Sequence, residues 1–303
     1  MTRIGLRKSS MLSVMGFNFF DVFIYAFCLG FAFVCFYPMW YVFIGSLSEA
    51  EKFSTVSFNI LPTFPPTLKY YISIITGGAF KRALSVSFFK TLFGASASVI
   101  LTAMMAYAVS KEHIKGMKAI NFYVIFTMFF SGGLVPTFLL IRNLHMYDTL
   151  WALSVPLLMS VGNFVIMRSF FIYTVPQELE EAASIDGANA IYMFFKIIIP
   201  ISKPTIATVF LFDAVAQWND WYTYLVYCES PELRPVVQVL RKLLTDPNAV
   251  KGNSLAMLNK FGYLPPLPLK MTTIILAMLP IIIVYPFLQR YFVKGIMIGA
   301  VKG

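Results

Sequence analysis

Five stretches of 19 to 27 consecutive residues carry no charged side chain: between Asp21 and Glu49, Lys90 and Lys111, Lys118 and Arg142, Asp148 and Arg168, and Lys270 and Arg290. A helix rises about 1.5 Å per residue, so about 20 apolar residues cross a hydrocarbon core of roughly 30 Å. A sixth stretch, 204–228, is apolar and aromatic apart from Asp213 and Asp220. The pattern predicts an all-α membrane protein with six transmembrane helices, near 21–47, 88–110, 119–141, 149–172, 204–228 and 271–291. Composition agrees. Charged residues make up only 13% of the chain, where a soluble domain carries about 25%, and the mean hydropathy is +0.74. A water-soluble fold is excluded.

The first span is too long for a cleavable signal peptide, whose apolar run covers about 7–15 residues, and no small-residue cleavage pattern closes it. Arg3, Arg7 and Lys8 precede it, and Lys111, Lys115 and Lys118 crowd the turn after the second span. Both place the N-terminus in the cytoplasm, and an even number of spans returns the C-terminus there. The two long connections, 48–87 and 229–270, then lie outside. The excess of 24 basic over 14 acidic residues is read as helix-end anchoring in a bilayer, with no nucleic-acid partner. Cys28, Cys35 and Cys228 sit in apolar stretches and are expected to be small packing residues. No repeat stands out, and the chain reads as one membrane domain.

The chemistry of most enzyme classes is missing. No Gly-Lys pair occurs, so there is no Walker A loop. The two histidines, His113 and His145, fall on opposite sides of the membrane by this topology, which removes a HExxH zinc site and leaves little for a His-based triad. No GxSxG elbow is present. Asp213 and Asp220 are the only obvious intramembrane carboxylate pair, and such residues more often mark transport pathways. No catalytic residue, bound cofactor or metal is expected.

The cytoplasmic connection between the fourth and fifth spans carries the strongest signal. Thr174 and Gln177 have capping-box spacing, with Pro176 in the first turn. Glu178, Glu180 and Glu181 put negative charge at the positive end of a helix dipole, and Gly187 supplies a left-handed stop. A second short helix, Ala190 to Ile199, is expected to stop at Pro200. Glu181-Ala182-Ala183, then Gly187 after three residues, then Ile197-Ile198-Ile199-Pro200 after nine, resembles the EAA loop of ABC importer membrane subunits. The family pattern ends Ile-x-Leu-Pro, so Ile199 departs from it.

Phe130-Ser-Gly-Gly-Leu-Val-Pro136-Thr, Asp148-Thr-Leu-Trp151, Gln217-Trp218-Asn219-Asp220-Trp221 and the ending Tyr291 to Gly303 are similar to carbohydrate-importer permeases. Among these the maltose-type second permease, in the branch serving complex oligosaccharides, is the nearest pattern. The resemblance covers nearly the whole chain and is weakest over 1–20. It implies a five-helix core preceded by one extra helix: a cytoplasmic segment 1–20, the first helix and external loop 21–84, the importer core 85–291 with its coupling loop 174–203, and a cytoplasmic tail 292–303. It also implies a location in the bacterial cytoplasmic (inner) membrane. The implied partners are a second homologous permease, two ATPase subunits (or a homodimer) that bind the ATP and Mg, an extracytoplasmic sugar-binding protein and an oligosaccharide, all within membrane lipid. Glu180, Glu181, Ala182, Ala183, Asp186, Gly187, Ile197 and Pro200 would couple to the ATPase.

Asp213, Gln217 and Asp220 fall at i, i+4 and i+7, on one helical face. Gln217, Trp218, Asn219 and Asp220, with Asn163 on the fourth span, are candidates to line the solute pathway, with Trp218 or Trp221 offering a ring face to a sugar. Hydrogen bonding between helices is the competing reading, favoured for Asp213. Ser131-Gly132-Gly133 and Pro136 should loosen the third span, as a hinge or as a close packing point. The net positive charge of 229–270 suits acidic oligosaccharides or acidic groups on a partner. A non-sugar ABC permease and a stand-alone secondary transporter remain the alternative functions. The second predicts matching discontinuous helices in two halves, which the sequence does not show.

Overall fold

The computed structural model describes residues 19–54, 60–246 and 264–300, with side chains over 20–53, 60–246 and 264–286. The described residues are helical and contain no strand. The elements, in chain order, are α1 (Phe19–Ser46), α2 (Ala50–Ser54), α3 (Lys69–Thr76), α4 (Gly78–Ser110), α5 (Met117–Phe129), α6 (Leu134–Asn143), α7 (Leu150–Ser154), α8 (Val161–Tyr173), α9 (Gln177–Ile185), α10 (Ala190–Ile201), α11 (Lys203–Asn219), α12 (Tyr222–Tyr227), α13 (Val236–Thr245) and α14 (Pro266–Ala300).

Helix α4 organises the bundle. Its 33 residues are long enough, at roughly 1.5 Å each, to cross a bilayer and project beyond it. Ala95, Ser98, Val99, Thr102, Ala103, Ala106 and Val109 form a buried stripe at helical spacing along it. Small residues let helices approach closely where no hydrophobic gain separates protein from lipid. Along this stripe α11 and α8 make the most extensive interhelical packing in the molecule. Helix α1 lies instead along α14. Gly45 lets the two approach, because a Cβ there would stand 2.2 Å from the Met271 Sδ. The rest of α1 turns Phe23, Phe27, Phe31 and Val34 outward, a surface suited to lipid.

Among the described residues three helices are long and apolar enough to cross a membrane as they stand, and up to six spans result if each bent pair counts as one. The expected straight span at 119–141 is a sharp elbow, with α5 and α6 meeting at 115°. Phe130 is extended there and Gly133 adopts φ 85°, so the Ser131-Gly132-Gly133 run breaks the helix outright rather than loosening it. The expected span at 149–172 bends by 50° between α7 and α8, after the tight turn holding Pro156. The expected span at 204–228 stops at Asn219, and the chain resumes as α12 after an extended Asp220. Cys228 is buried, but Cys28 and Cys35 are exposed, because residues 22–36 of α1 are exposed all round and only its C-terminal part is packed.

Candidate functional site

Two clusters of named residues converge on α4, one at its C-terminal end and one along its middle. At the first, α8 ends at Tyr173 and Pro176 opens α9 with no side-chain cap. The expected capping box does not form; the Gln177 amide donates to the Glu181 carboxylate at 3.0 Å instead. The stop at Gly187 forms as expected. Its φ is 82°, and the Asp186 and Ala188 N–H groups donate back to Ala182 and Ala183 at 3.0 and 2.9 Å. Asn189 then caps α10, its side-chain oxygen accepting the Tyr192 N–H at 2.8 Å. Pro200 does not end α10, which continues to Ile201 and meets α11 at 85°. Residues Met193–Ile198 are wound wider than an α-helix, which displaces the hydrogen bond a proline would break.

The seating of α9 is asymmetric. Ala183 is its buried residue and packs in one core with Val109, Phe171, Val175, Met193 and Ile198. Glu180 pairs with Lys111 at the end of α4, and Lys111 also lies over the Tyr107 ring. Arg168 of α8 pairs with Glu112 at 2.6 Å, closing the same corner. Glu181, Ala182, Asp186, Gly187 and Pro200 are exposed, and Ile197 is half-buried. Ile185 is 86% exposed and Ile191 73%. Ile185 lies in a connection between spans, so lipid does not account for its exposure.

Along the middle of α4 a polar seam joins it to α8 and α11. The buried Asp213 carboxylate accepts from Ser98 Oγ and Asn163 Nδ2, each at 2.7 Å. One turn on, Gln217 is 1% exposed and its amide occupies the space above Gly94, where a Cβ would lie 2.5 Å from it. Its Nε2 donates to the Ser154 carbonyl at 3.4 Å. Trp218 faces away from this seam, donating to the Ala277 carbonyl of α14 at 3.2 Å, with its ring edge-on to Phe88. Asp220 stands at the break between α11 and α12. Its carboxylate pairs with Lys90 and Thr223 and accepts the N–H groups of Tyr222 and Thr223 at 3.2 and 3.3 Å. Lys90 is completely buried and also donates to the Asp220 carbonyl at 3.1 Å. A buried charge is tolerated only when paired and fully bonded, which is how Lys90 is held.

Beyond the break two connections are clipped together. Asp148, at φ 55°, accepts the N–H groups of Glu229 and Ser230 at 3.0 and 2.9 Å and the Ser230 hydroxyl. The Ser230 hydroxyl, then its N–H, hold this carboxyl below the usual aspartate range against a smaller opposing effect of desolvation.

Residues 4–298 match the family of binding-protein-dependent transport system inner membrane components. The chain belongs to this family. The permease is 37% identical over 287 residues to the polygalacturonan/rhamnogalacturonan transport system permease protein YtcP of Bacillus subtilis, covering 94% of this chain and 98% of that one. It is 39% identical to protein LplC of the same organism, covering 94% and 95%. It also superimposes, with a TM-score of 0.81 and 31% identity over 90% of its length and 96% of the other, on a chain of a bacterial ABC transporter involved in the import of the acidic polysaccharide alginate. Family and relatives are transport permeases rather than enzymes, and the permease is a multi-pass inner-membrane protein.

Of the residues selected from the sequence, Asn163, Gln217 and Trp218 are buried inside the permease, and Asp220 is closed by Lys90. Asn219 is exposed on the outward face of α11 with Phe212, Val215 and Ala216. Sequence reasoning missed Lys90, which it used as the edge of a span although α4 starts twelve residues earlier. It also missed Ser98 and Lys111 as partners of Asp213 and Glu180. A lone lysine inside a long apolar helix was the available signal for the first; nothing local marks the other two.

Proposed function

We propose that this permease forms half of the translocation pathway of a binding-protein-dependent ABC importer for oligosaccharides. It would work as one of two homologous permeases, with two ATPase subunits binding ATP and Mg and an extracytoplasmic sugar-binding protein delivering the solute. The sugar reading rests on the similarity to a polygalacturonan/rhamnogalacturonan transport permease and to a chain of an alginate importer. The bent pairs read as single spans give six crossings, with both termini in the cytoplasm. The first helix and its external loop, 21–84, stand before the five-helix core 85–291.

The observation that carries the coupling role is the surface of α9 and α10. A short helix, anchored beneath by Ala183 and Glu180, leaves Ile185 uncovered outside any span. An apolar surface there calls for a protein partner; Glu181, Ala182, Asp186 and Gly187 would lie in that contact, with Ile197 and Pro200 behind it. Ile185→Asp should strip the ATPase from the complex purified out of mild detergent while the second permease is retained. Co-purification of the ATPase at wild-type yield would refute the assignment. For the solute, the exposed Asn219 and half-buried Trp221 fit a pathway lining. Asn163, Gln217, Trp218 and Asp220, each bonded within the chain, fit the scaffold that shapes it.

A further inference from the structure

On α12, Trp221 and Tyr224 are three residues apart and share one side of the helix. Each carries an arginine on its ring: the Arg241 guanidinium lies 3.8 Å from the Trp221 centroid and that of Arg234 lies 5.7 Å from the Tyr224 centroid. Both arginines are half-buried, and among the described residues neither guanidinium has a hydrogen bond or ion pair beyond its ring. The neighbouring carboxylates are already engaged: Asp220 by Lys90, Asp148 by Ser230, Glu232 by Arg82 and Glu229 by the Tyr147 hydroxyl. Residues 247–263 contain no Asp or Glu to serve them. One turn before Arg241 on α13, Gln238 is 8% exposed, and among the described residues its side-chain oxygen has no partner.

This is an uncommon arrangement for structural arginines. A guanidinium drawn to a ring by cation–π attraction is restrained in position without using up its fork of N–H donors, which stay available to a ligand. Such a fork fits a carboxylate through two parallel hydrogen bonds. A buried amide oxygen without a donor incurs a cost of about 1–3 kcal/mol unless a hydroxyl or water reaches it. Asn219, two residues before Trp221, adds an exposed amide on the adjoining outward face of α11. Donor forks for carboxylates, an orphan acceptor for a hydroxyl and flanking aromatic rings together describe a surface for a sugar acid.

We propose that Arg234 and Arg241 form a carboxylate-reading site for uronate-bearing oligosaccharides at the outer end of the pathway, with Gln238 accepting a sugar hydroxyl. The site rests on the importer reading above and narrows its substrate to acidic oligosaccharides. A solvent-projecting arginine would suit docking of the acidic surface of a binding protein. These two are recessed on α12, immediately beyond the α11 break, and that placement favours the solute.

The test is uptake by the complete complex reconstituted in proteoliposomes with its binding protein, loaded with an oligogalacturonide or with the methyl ester of the same oligosaccharide. Arg234→Gln with Arg241→Gln should lower the maximal rate for the acid at least tenfold. The concentration of loaded binding protein at half-maximal rate should not move. The neutral ester should be carried by the double variant at the wild-type rate. Arg241→Lys, which keeps the charge and loses the fork, should recover only part of the rate. A raised half-maximal concentration with an unchanged maximal rate would move these arginines to the binding-protein interface and overturn the proposal, as would equal losses for acid and ester. A wild-type complex that carries the ester but not the acid would overturn it while leaving the importer reading intact. A wild-type complex that moves neither would defeat the importer reading itself and this site with it.

Discussion

At the residue scale, this permease spends its few intramembrane polar groups on one another. Asp213 binds Ser98 and Asn163, and Gln217 fills the notch that Gly94 leaves. Interhelical hydrogen bonds in membranes average about 0.6 kcal/mol and reach about 1.7, so such a seam sets register more than it adds stability. The Gly94 notch gives a sharp prediction. Gly94→Ala puts a Cβ into the Gln217 amide, and overpacking of this kind costs about 1–3 kcal/mol. The loss should be read as a lower melting temperature of the purified complex, and Gln217→Ala in the same chain should recover most of it. Equal destabilisation with and without Gln217 would show that Gly94 serves another contact. Lys90 illustrates the opposite economy: a full charge buried in α4 is retained because one carboxylate, one carbonyl and one hydroxyl enclose it. Those groups exist at that point only because α11 ends there.

At the element scale, helices are held by clips at their ends, and two are testable. The Lys111–Glu180 pair fastens α9 to the C-terminal end of α4, and under the proposed coupling role it would pass movement of α9 to the helix on which α8 and α11 lie. Lys111→Glu should cut uptake severalfold with the ATPase still bound, and adding Glu180→Lys should restore much of it. Failure of the swap to restore uptake would show that the pair transmits nothing. The Asp148 clip joins the turn after α6 to the chain after α12. Its carboxyl titrates below its unfolded value. Its stabilising contribution is therefore complete above the ordinary aspartate pKa of about 3.9 and is lost as pH falls through the lower folded value. Hydrogen exchange at Glu229 and Ser230 should stay slow at pH 5 and rise steeply only below about pH 4. Asp148→Asn, which tolerates the left-handed backbone, should remove that pH dependence; an unchanged acid transition in this variant would exclude Asp148 as its source.

At the scale of the whole molecule, the described residues form a bundle around α4 with α1 attached through α14 and α9 at one end. The six-span reading predicts that single cysteines at Lys115 and at Leu61 face opposite compartments. A membrane-impermeant maleimide added to intact cells should label Leu61→Cys and spare Lys115→Cys. Labelling of both, or of Lys115→Cys alone, would reverse or abolish the proposed orientation.

Much of this was legible in the chain itself. Lipid offers the backbone no hydrogen bonds, so long charge-free runs had to be helices, and the all-α class followed. The turn at Gly187 and the helix starting near Gln177 were readable because glycine, proline and acidic residues act on the backbone locally. The family resemblance rested on the same short-range spacing. What the sequence could not determine was which polar groups meet. Whether Gln217 faces a pathway or Gly94, whether Asp220 is open or closed by Lys90, and whether Glu180 awaits a partner or already holds Lys111 depend on residues 69 to 130 positions apart. So do the breaks. Gly132-Gly133 makes a bend permissible, but only the packing of neighbouring helices sets it at 115°. Local periodicity determines that a helix forms; the angle, the partner and the charge that closes it belong to the tertiary structure, because those energies arise only when distant segments touch.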